Sequence, residues 1–264
     1  MYHFPAMKLN FHVTGNGEPL ILLHGLLGSH HNLLAHAERL ARHFRIFTPD
    51  HRNHGGSPHS GEMNYDVLVA DMIGFMSGHG IARASLLGHS MGGKTAMHLA
   101  QQHPDRVDKL VVVDIAPKEY PPRFAPVLDA MLSLDLKKYQ SRSEVDAALA
   151  GVVESRTMRQ FLLKNVSSDA SGRLEWKPNL GALRANYDRL RSALPLRGCF
   201  EGPALFVSGG RSDYLMEADL ELIRRMFPNA RLKTMPDTGH WVHAEAPEKF
   251  TTVVEDFLVA TITK

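Results

Sequence analysis

Apolar and polar positions alternate along this chain in two rhythms. Short apolar runs bounded by turn residues recur at 9–13, 20–23, 45–48, 84–87, 110–113, 204–207 and 231–235, and each predicts a strand. The unbroken run Leu20-Ile21-Leu22-Leu23 and the β-branched run that ends at Val113 suit strands buried on both faces. Gly15-Asn16-Gly17, between the first two runs, reads as a hairpin turn. Helical spacing occupies 66–76, with Val67, Ile73 and Met76 among its apolar positions. Further helices are expected over 94–103, 217–226 and 247–261, with Pro247 suited to a first helical turn. Strands and helices in alternation imply an α/β fold, a mostly parallel central sheet with helices on both faces.

The rhythm stops between 118 and 197. No buried strand pattern appears there, and the stretch opens with Pro121-Pro122 and closes near Pro195. Helical patterns occupy 144–153, 157–164 and 180–190. The expected organisation is a core domain, 1–117 and 198–264, with a helical cap, 118–197, inserted between two core strands. Lys and Arg outnumber Asp and Glu by 14 to 9 in this stretch. A basic cap suits anionic substrates, and solvated helix surfaces explain the same excess. Tyr120, Arg123, Phe124, Trp176 and Tyr187 are candidates either for a pocket wall or for the interior of the cap.

Composition narrows the class. With 264 residues, 44% hydrophobic and 22% charged, the chain fits one large globular domain or a domain with an insertion. A net charge of +2 gives no case for nucleic acid or a membrane surface. No apolar run approaches the roughly 20 residues of a membrane span. Residues 1–10 lack a cationic start followed by an apolar stretch, so no signal peptide is expected. Cys199 is the single cysteine and has no internal disulfide partner, which points to a reducing, cytoplasmic setting. Sixteen histidines include His30-His31 and His51-Arg-Asn-His54, but no H-E-x-x-H or dense His/Asp cluster accompanies them. Neither a metal nor another cofactor is expected. Oligomeric state has no signal in the sequence.

Gly88-His89-Ser90-Met91-Gly92 lies between the strand at 84–87 and the helix that follows. A bare G-x-S-x-G arises by chance. Between a strand and a helix it is a nucleophile elbow, with a serine hydroxyl held on a sharp turn. Ser90 is then the candidate nucleophile, and it needs a base to take its proton. His240, in Asp237-Thr-Gly-His240-Trp after the last strand, is the candidate base; His243 is its rival, and His89 is expected to pack or hydrogen-bond. An acid must hold the imidazole. Asp114, at the end of the 110–113 strand, is preferred because strand C-terminal ends line the active crevice of open α/β sheets. Asp213 remains the alternative acid, and Ser212 is expected to support the His240–Asp114 pair. The oxyanion donors are expected to be the backbone N–H groups of Met91 and of Leu26, in the loop His24-Gly25-Leu26-Leu27-Gly28.

Together the His24-Gly25 loop, the segment Asp50-His-Arg-Asn-His-Gly-Gly-Ser57, the Ser90 elbow and Gly239-His240-Trp241 resemble an α/β-hydrolase over nearly the whole chain. Arg-Asn-His-Gly, then Asp114-Ile-Ala-Pro, then Gly-Gly-x-Ser, is similar to the YbfF-type bacterial esterases. The resemblance implies an acid at Asp114 and a serine at the Ser212 position; Asp213 departs from the pattern. It also implies a serine carboxylesterase acting on short-to-medium acyl esters, with acyl-CoA thioesters as the second substrate class. The segment 50–57 is expected to be scaffolding under the site. A carbon–carbon bond hydrolase is a third enzyme option, and a ligand receptor on the same fold is the alternative outside enzymes. Relatives that attack with a carboxylate are excluded, because position 90 is serine.

Overall fold

The computed structural model describes residues 6–260. Seven strands form the main sheet: β1 (Phe11–Thr14), β2 (Glu18–Leu23), β3 (Phe44–Pro49), β4 (Ala84–His89), β5 (Val107–Val113), and, after the long intervening segment, Ala204–Gly209 and Ala230–Met235. The intervening segment holds a small antiparallel pair, β6 (Val166–Ser168) and β7 (Leu174–Trp176), so the last two main strands are β8 and β9. The order across the sheet is β1-β3-β2-β4-β5-β8-β9, parallel throughout except for β1.

Alternation along the central strands feeds two cores. Ile21, Leu23, Leu110, Val112 and Phe206 belong to one, together with α2 (after α1, Leu34–Leu40, this helix is Tyr65–Gly78) and α3 (Met91–Gln102). Leu20, Leu22, Val111, Val113 and Val207 turn to the other face, against Ala37 and Leu40 of α1 and Phe250, Val254 and Leu258 of the last helix, Pro247–Val259. Both faces are apolar because both are covered, the pattern of a doubly wrapped sheet. The expected 247–261 helix ends at Val259; residue 261 lies outside the described residues, as do residues 1–5 of the stretch read for a signal peptide.

The expected hairpin between the first two strands does not form. Gly15 and Gly17 do turn the chain, with φ of 74° and 113°. However, β1 pairs antiparallel with β3, while β2 has parallel partners on both edges, β3 and β4. With no edge of β2 free, the turn carries β1 across to the outer edge of β3.

Between β5 and β8 lie α4 (Ala125–Ser133), α5 (Arg142–Leu149), α6 (Arg156–Leu163), the β6–β7 hairpin, α7 (Leu180–Ala185) and α8 (Tyr187–Arg191). This hairpin differs from the helical reading of the segment. Its strands are three residues each, too short to show a period, and Asp169 at its tip accepts N–H bonds from Ser171 and Arg173. The helix expected over 180–190 breaks at Asn186, whose side chain donates to the carbonyls of Ala182 and Gly61. Beyond β8 come α9 (Leu220–Met226), α10 (Val242–Glu245) and α11 (Pro247–Val259). Among the described residues no helix is long and apolar enough to cross a membrane.

Candidate active site

Ser90 sits between β4 and α3 with φ 52° and ψ −116°. This backbone is costly for a non-glycine residue, of order 1–3 kcal/mol, and persists only where the surroundings enforce it. The crowding is visible at the flanking glycines. A Cβ on Gly88 would lie 2.2 Å from the Gly92 carbonyl oxygen, and one on Gly92 would lie 2.3 Å from that of Leu23. Only glycine lets the turn close this tightly. The Ser90 N–H donates to the Val113 carbonyl at 3.1 Å, tying the elbow to the end of β5. Met91 opens α3, so its N–H belongs to the helix-end donors that lack intrahelical partners.

His240 Nε2 lies 3.2 Å from Ser90 Oγ. His240 Nδ1–H donates to Asp114 Oδ2 at 2.8 Å. Asp114 is fully buried and holds a φ of 48°. Its Oδ1 accepts the Gly209 N–H at 2.9 Å, and its Oδ2 also accepts a short hydrogen bond from the Ser212 hydroxyl. The chain hydroxyl–imidazole–carboxylate is thus continuous, and such a chain can draw a proton off the hydroxyl and stabilise the resulting imidazolium.

Asp213 is turned away from the imidazole. It pairs with Arg123, which holds its carboxyl below the ordinary range, and its side chain is 58% exposed. Ser212, one residue earlier, makes the contact with Asp114. His243 packs 4.5 Å from the His89 ring, and burial lowers it to about 3. His89 Nε2–H donates to the His240 carbonyl at 2.9 Å, so it steadies the loop that carries the imidazole. Glu245 holds the same loop by accepting the Gly239 N–H at 2.9 Å.

Two residues at the site carried little sequence signal. Tyr214 stacks on the His240 ring, centroids 3.8 Å apart, and the Arg123 guanidinium lies over the Tyr214 ring, 4.9 Å from its centroid. Lys94, on α3, is buried, and desolvation lowers it to about 7. Its ammonium donates to the carbonyls of Lys118 (2.8 Å) and Ser192 (2.6 Å), at the two ends of the 118–197 segment. A lysine one helical turn beyond the elbow was the only available hint.

Above Ser90 opens a cavity of about 660 Å³. Its walls include Leu26, Ile115, Tyr120, Phe124, Phe161 and Tyr187, with Ser90 and His240 at the polar end. Of the five residues considered for a pocket wall, Tyr120, Phe124 and Tyr187 line it. Trp176 instead donates its Nε1–H to the Met131 carbonyl at 3.1 Å, and Arg123 is engaged by Asp213.

Comparison with known proteins fits this architecture. The family described as alpha/beta hydrolase fold matches residues 18–162. A Mus musculus protein described as sn-1-specific diacylglycerol lipase ABHD11 is 39% identical over 247 residues, 90% of this chain and 80% of that one. Esterase YbfF of Escherichia coli strain K12 is 34% identical over 258 residues, covering 96% and 99%. A solved structure described as a marine microorganism esterase superposes with a TM-score of 0.93 at 36% identity, covering 96% of this chain and all of the other. Similarity that runs through sheet, elbow and intervening segment alike makes the chain a member of the α/β-hydrolase fold family, an esterase/lipase-type hydrolase within it.

Proposed function

We propose that the protein is a serine carboxylesterase that cleaves short-to-medium acyl esters through an acyl-enzyme intermediate. Ser90 Oγ attacks the ester carbonyl carbon while His240 Nε2 takes its proton. The N–H groups of Met91 and Leu26 receive the oxyanion, and His240 returns the proton to the departing alcohol oxygen. Water then attacks the acyl-enzyme by the same route, and the carboxylic acid leaves. Asp114 keeps the Nδ1–H tautomer and stabilises the imidazolium, with Ser212 and the Gly209 N–H holding its carboxylate in place. Residues 118–197 act as the cap over this centre.

One observation carries the reading: a serine at φ 52° within 3.2 Å of an imidazole that itself donates to a buried carboxylate. The aromatic and aliphatic cavity walls support an acyl chain as the bound group, and the volume lies in the roughly 300–1,000 Å³ range of small-molecule sites. The basic excess of the cap gives little support to a thioester of coenzyme A. Arg123, Arg159, Arg173, Arg184 and Arg191 already face carboxylates. An exposed Cys199 suits a reducing, cytoplasmic setting.

The test is a panel of nitrophenyl esters of graded chain length beside acyl-CoA thioesters of matched length, run with the parent enzyme and Ser90→Ala. Ester turnover is expected to exceed thioester turnover. In Ser90→Ala it should fall by roughly 10⁶-fold, the loss seen when a triad serine is removed. A fluorophosphonate should label the parent and spare the variant. Undiminished turnover by folded Ser90→Ala removes the reading.

A further inference from the structure

The loop His24-Gly25-Leu26-Leu27-Gly28 carries an unusual density of buried polar restraint. The Gly25 carbonyl accepts from the Gly28 N–H at 3.0 Å and from His24 Nδ1–H at 2.8 Å. In a trans peptide the Leu26 N–H must then point the opposite way. The next peptide is held by His54, whose Nε2 accepts the Leu27 N–H at 3.1 Å. His54 Nδ1–H donates to the Arg52 carbonyl at 3.0 Å, which fixes the tautomer that leaves Nε2 free to accept. Burial keeps this imidazole neutral, lowering it to about 3. The third peptide is held from the far side of the site. Asn165 Nδ2–H, at the base of the β6–β7 hairpin, donates to the Leu27 carbonyl at 2.8 Å. Between these two restraints Leu27 adopts φ 59°, a left-handed conformation that a leucine does not choose unaided.

The 50–57 segment and the hairpin are also tied to each other. Asn53 itself has φ 65°, and its carbonyl accepts the Asn179 N–H at 3.0 Å. Lys177 N–H donates to the Asn165 carbonyl at 2.9 Å. The loop beside Ser90, the turn beneath it and the hairpin above it therefore form one hydrogen-bonded unit. The loop also runs close to the elbow: a Cβ on Gly25 would lie 3.3 Å from Ser90 Cβ.

We propose that His54 and Asn165 are positioning residues of the oxyanion loop. His54 fixes the Leu27 N–H and Asn165 its C=O, so the seating of segment 118–197 governs whether the Leu26 N–H is presented to the reacting carbonyl. The proposal rests on the reading of Leu26 as an oxyanion donor. It gives the His51-Arg-Asn-His54 motif a role beyond scaffolding, and it gives the cap a lever on rate as well as on access.

The test separates transition-state from ground-state effects. Parent, His54→Leu, His54→Gln and Asn165→Ala are compared by kcat and KM on one nitrophenyl ester. Inhibition by an alkylboronic acid, whose adduct on Ser90 places an oxygen in the oxyanion site, is compared with inhibition by the matching alcohol. In His54→Leu kcat should fall about 10²-fold with KM held within about twofold, as expected for a small misplacement of a reacting group. Boronate affinity should fall in parallel while alcohol affinity holds. Asn165→Ala should lose about tenfold in kcat, the effect of roughly one hydrogen bond, with the same selectivity. His54→Gln, which retains an acceptor near the Nε2 position, should recover most of the loss.

Variants that keep kcat, or that lose KM and alcohol affinity with the boronate-to-alcohol ratio unchanged, overturn the proposal. Should His54→Leu not fold, Asn165→Ala and His54→Gln decide the matter by the same ratio. A parent enzyme indifferent to loss of Ser90 would defeat the esterase reading itself. A Ser90-dependent enzyme indifferent to His54 and Asn165 defeats only this inference.

Discussion

The floor and the roof of the cavity are built by different physics. On the floor, Ser90, Asp114 and His240 follow the C-terminal ends of β4, β5 and β9. Parallel ladders from β4 through β9 fix those ends relative to one another. The roof, segment 118–197, shares no strand ladder with the main sheet and meets the floor through a common apolar cluster and isolated hydrogen bonds. These include Lys94 to the carbonyls of Lys118 and Ser192, Tyr65 Oη–H to the Leu190 carbonyl, and Asn165 to Leu27. A ladder cannot shift by less than a register, whereas a side-chain tie can be exchanged one residue at a time. The arrangement lets the geometry of Ser90, His240 and Asp114 stay constant while the cavity walls change.

The largest effect that tests this contrast lies in the two aspartates. Asp114 is buried on the floor and touches His240; Asp213 is exposed and touches Arg123 at the roof. Asp114→Asn should lower kcat by about 10⁴-fold, as when a triad aspartate loses its charge and the imidazole tautomer is no longer held. Asp213→Asn removes an exposed ion pair, and such pairs contribute at most about 1 kcal/mol, so kcat should change by a few-fold at most. Steady-state kinetics on one ester measures both. The contrast breaks if Asp213→Asn is the more damaging change.

These two residues also mark how far the sequence could be read. The elbow was legible because sterics demand its glycines, and the core strands because burial on two faces demands unbroken apolar runs. Asp114 and Asp213 both follow strand ends, and which carboxylate turns inward depends on β8 lying beside β5, which no local pattern encodes. The supposed hairpin at Gly15–Gly17 failed for the same reason, since pairing was decided by the edges of β2 and β3. Roof features were the least legible. The β6–β7 hairpin is short, and the helix break at Asn186 depends on a carbonyl 125 residues away. In the loop after β8, outside the roof, Tyr214 gave no sign of stacking on His240.

A second effect, smaller per group, falls on the floor through its buried histidines. Burial lowers His36 to about 4, and His54 and His243 to about 3. In the unfolded chain each titrates near 6.5. Between those values the unfolded chain binds a proton that the folded chain does not, so stability rises with pH there. It is fully present above about 6.5 and lost as pH falls toward the folded values. Three such groups together give a slope of about 4 kcal/mol per pH unit at full development. Urea midpoints should therefore drop steeply from pH 6.5 to pH 5, and His243→Phe should flatten the slope. A midpoint constant across that range would show these imidazoles to be accessible to protons in the folded state.

The smallest effect compares one ion pair from each region. Arg52 donates to Asp71 through Nε (2.7 Å) and Nη2 (2.8 Å), beneath the site, with side-chain exposures of 4% and 1%. Arg159 meets Asp146 at 2.9 Å in the roof, with exposures of 13% and 26%. Removing one partner of a buried pair strands the other charge without solvent, so Asp71→Asn should cost about 3–5 kcal/mol. Asp146→Asn leaves a guanidinium that still donates to the carbonyls of Val153 and Glu154 and can reach water, so its cost should stay near or below about 1 kcal/mol. Chemical denaturation of the two variants gives both numbers. A floor pair no costlier to break than the roof pair would mean that water reaches Arg52. The floor would then owe its rigidity to the strand ladders alone.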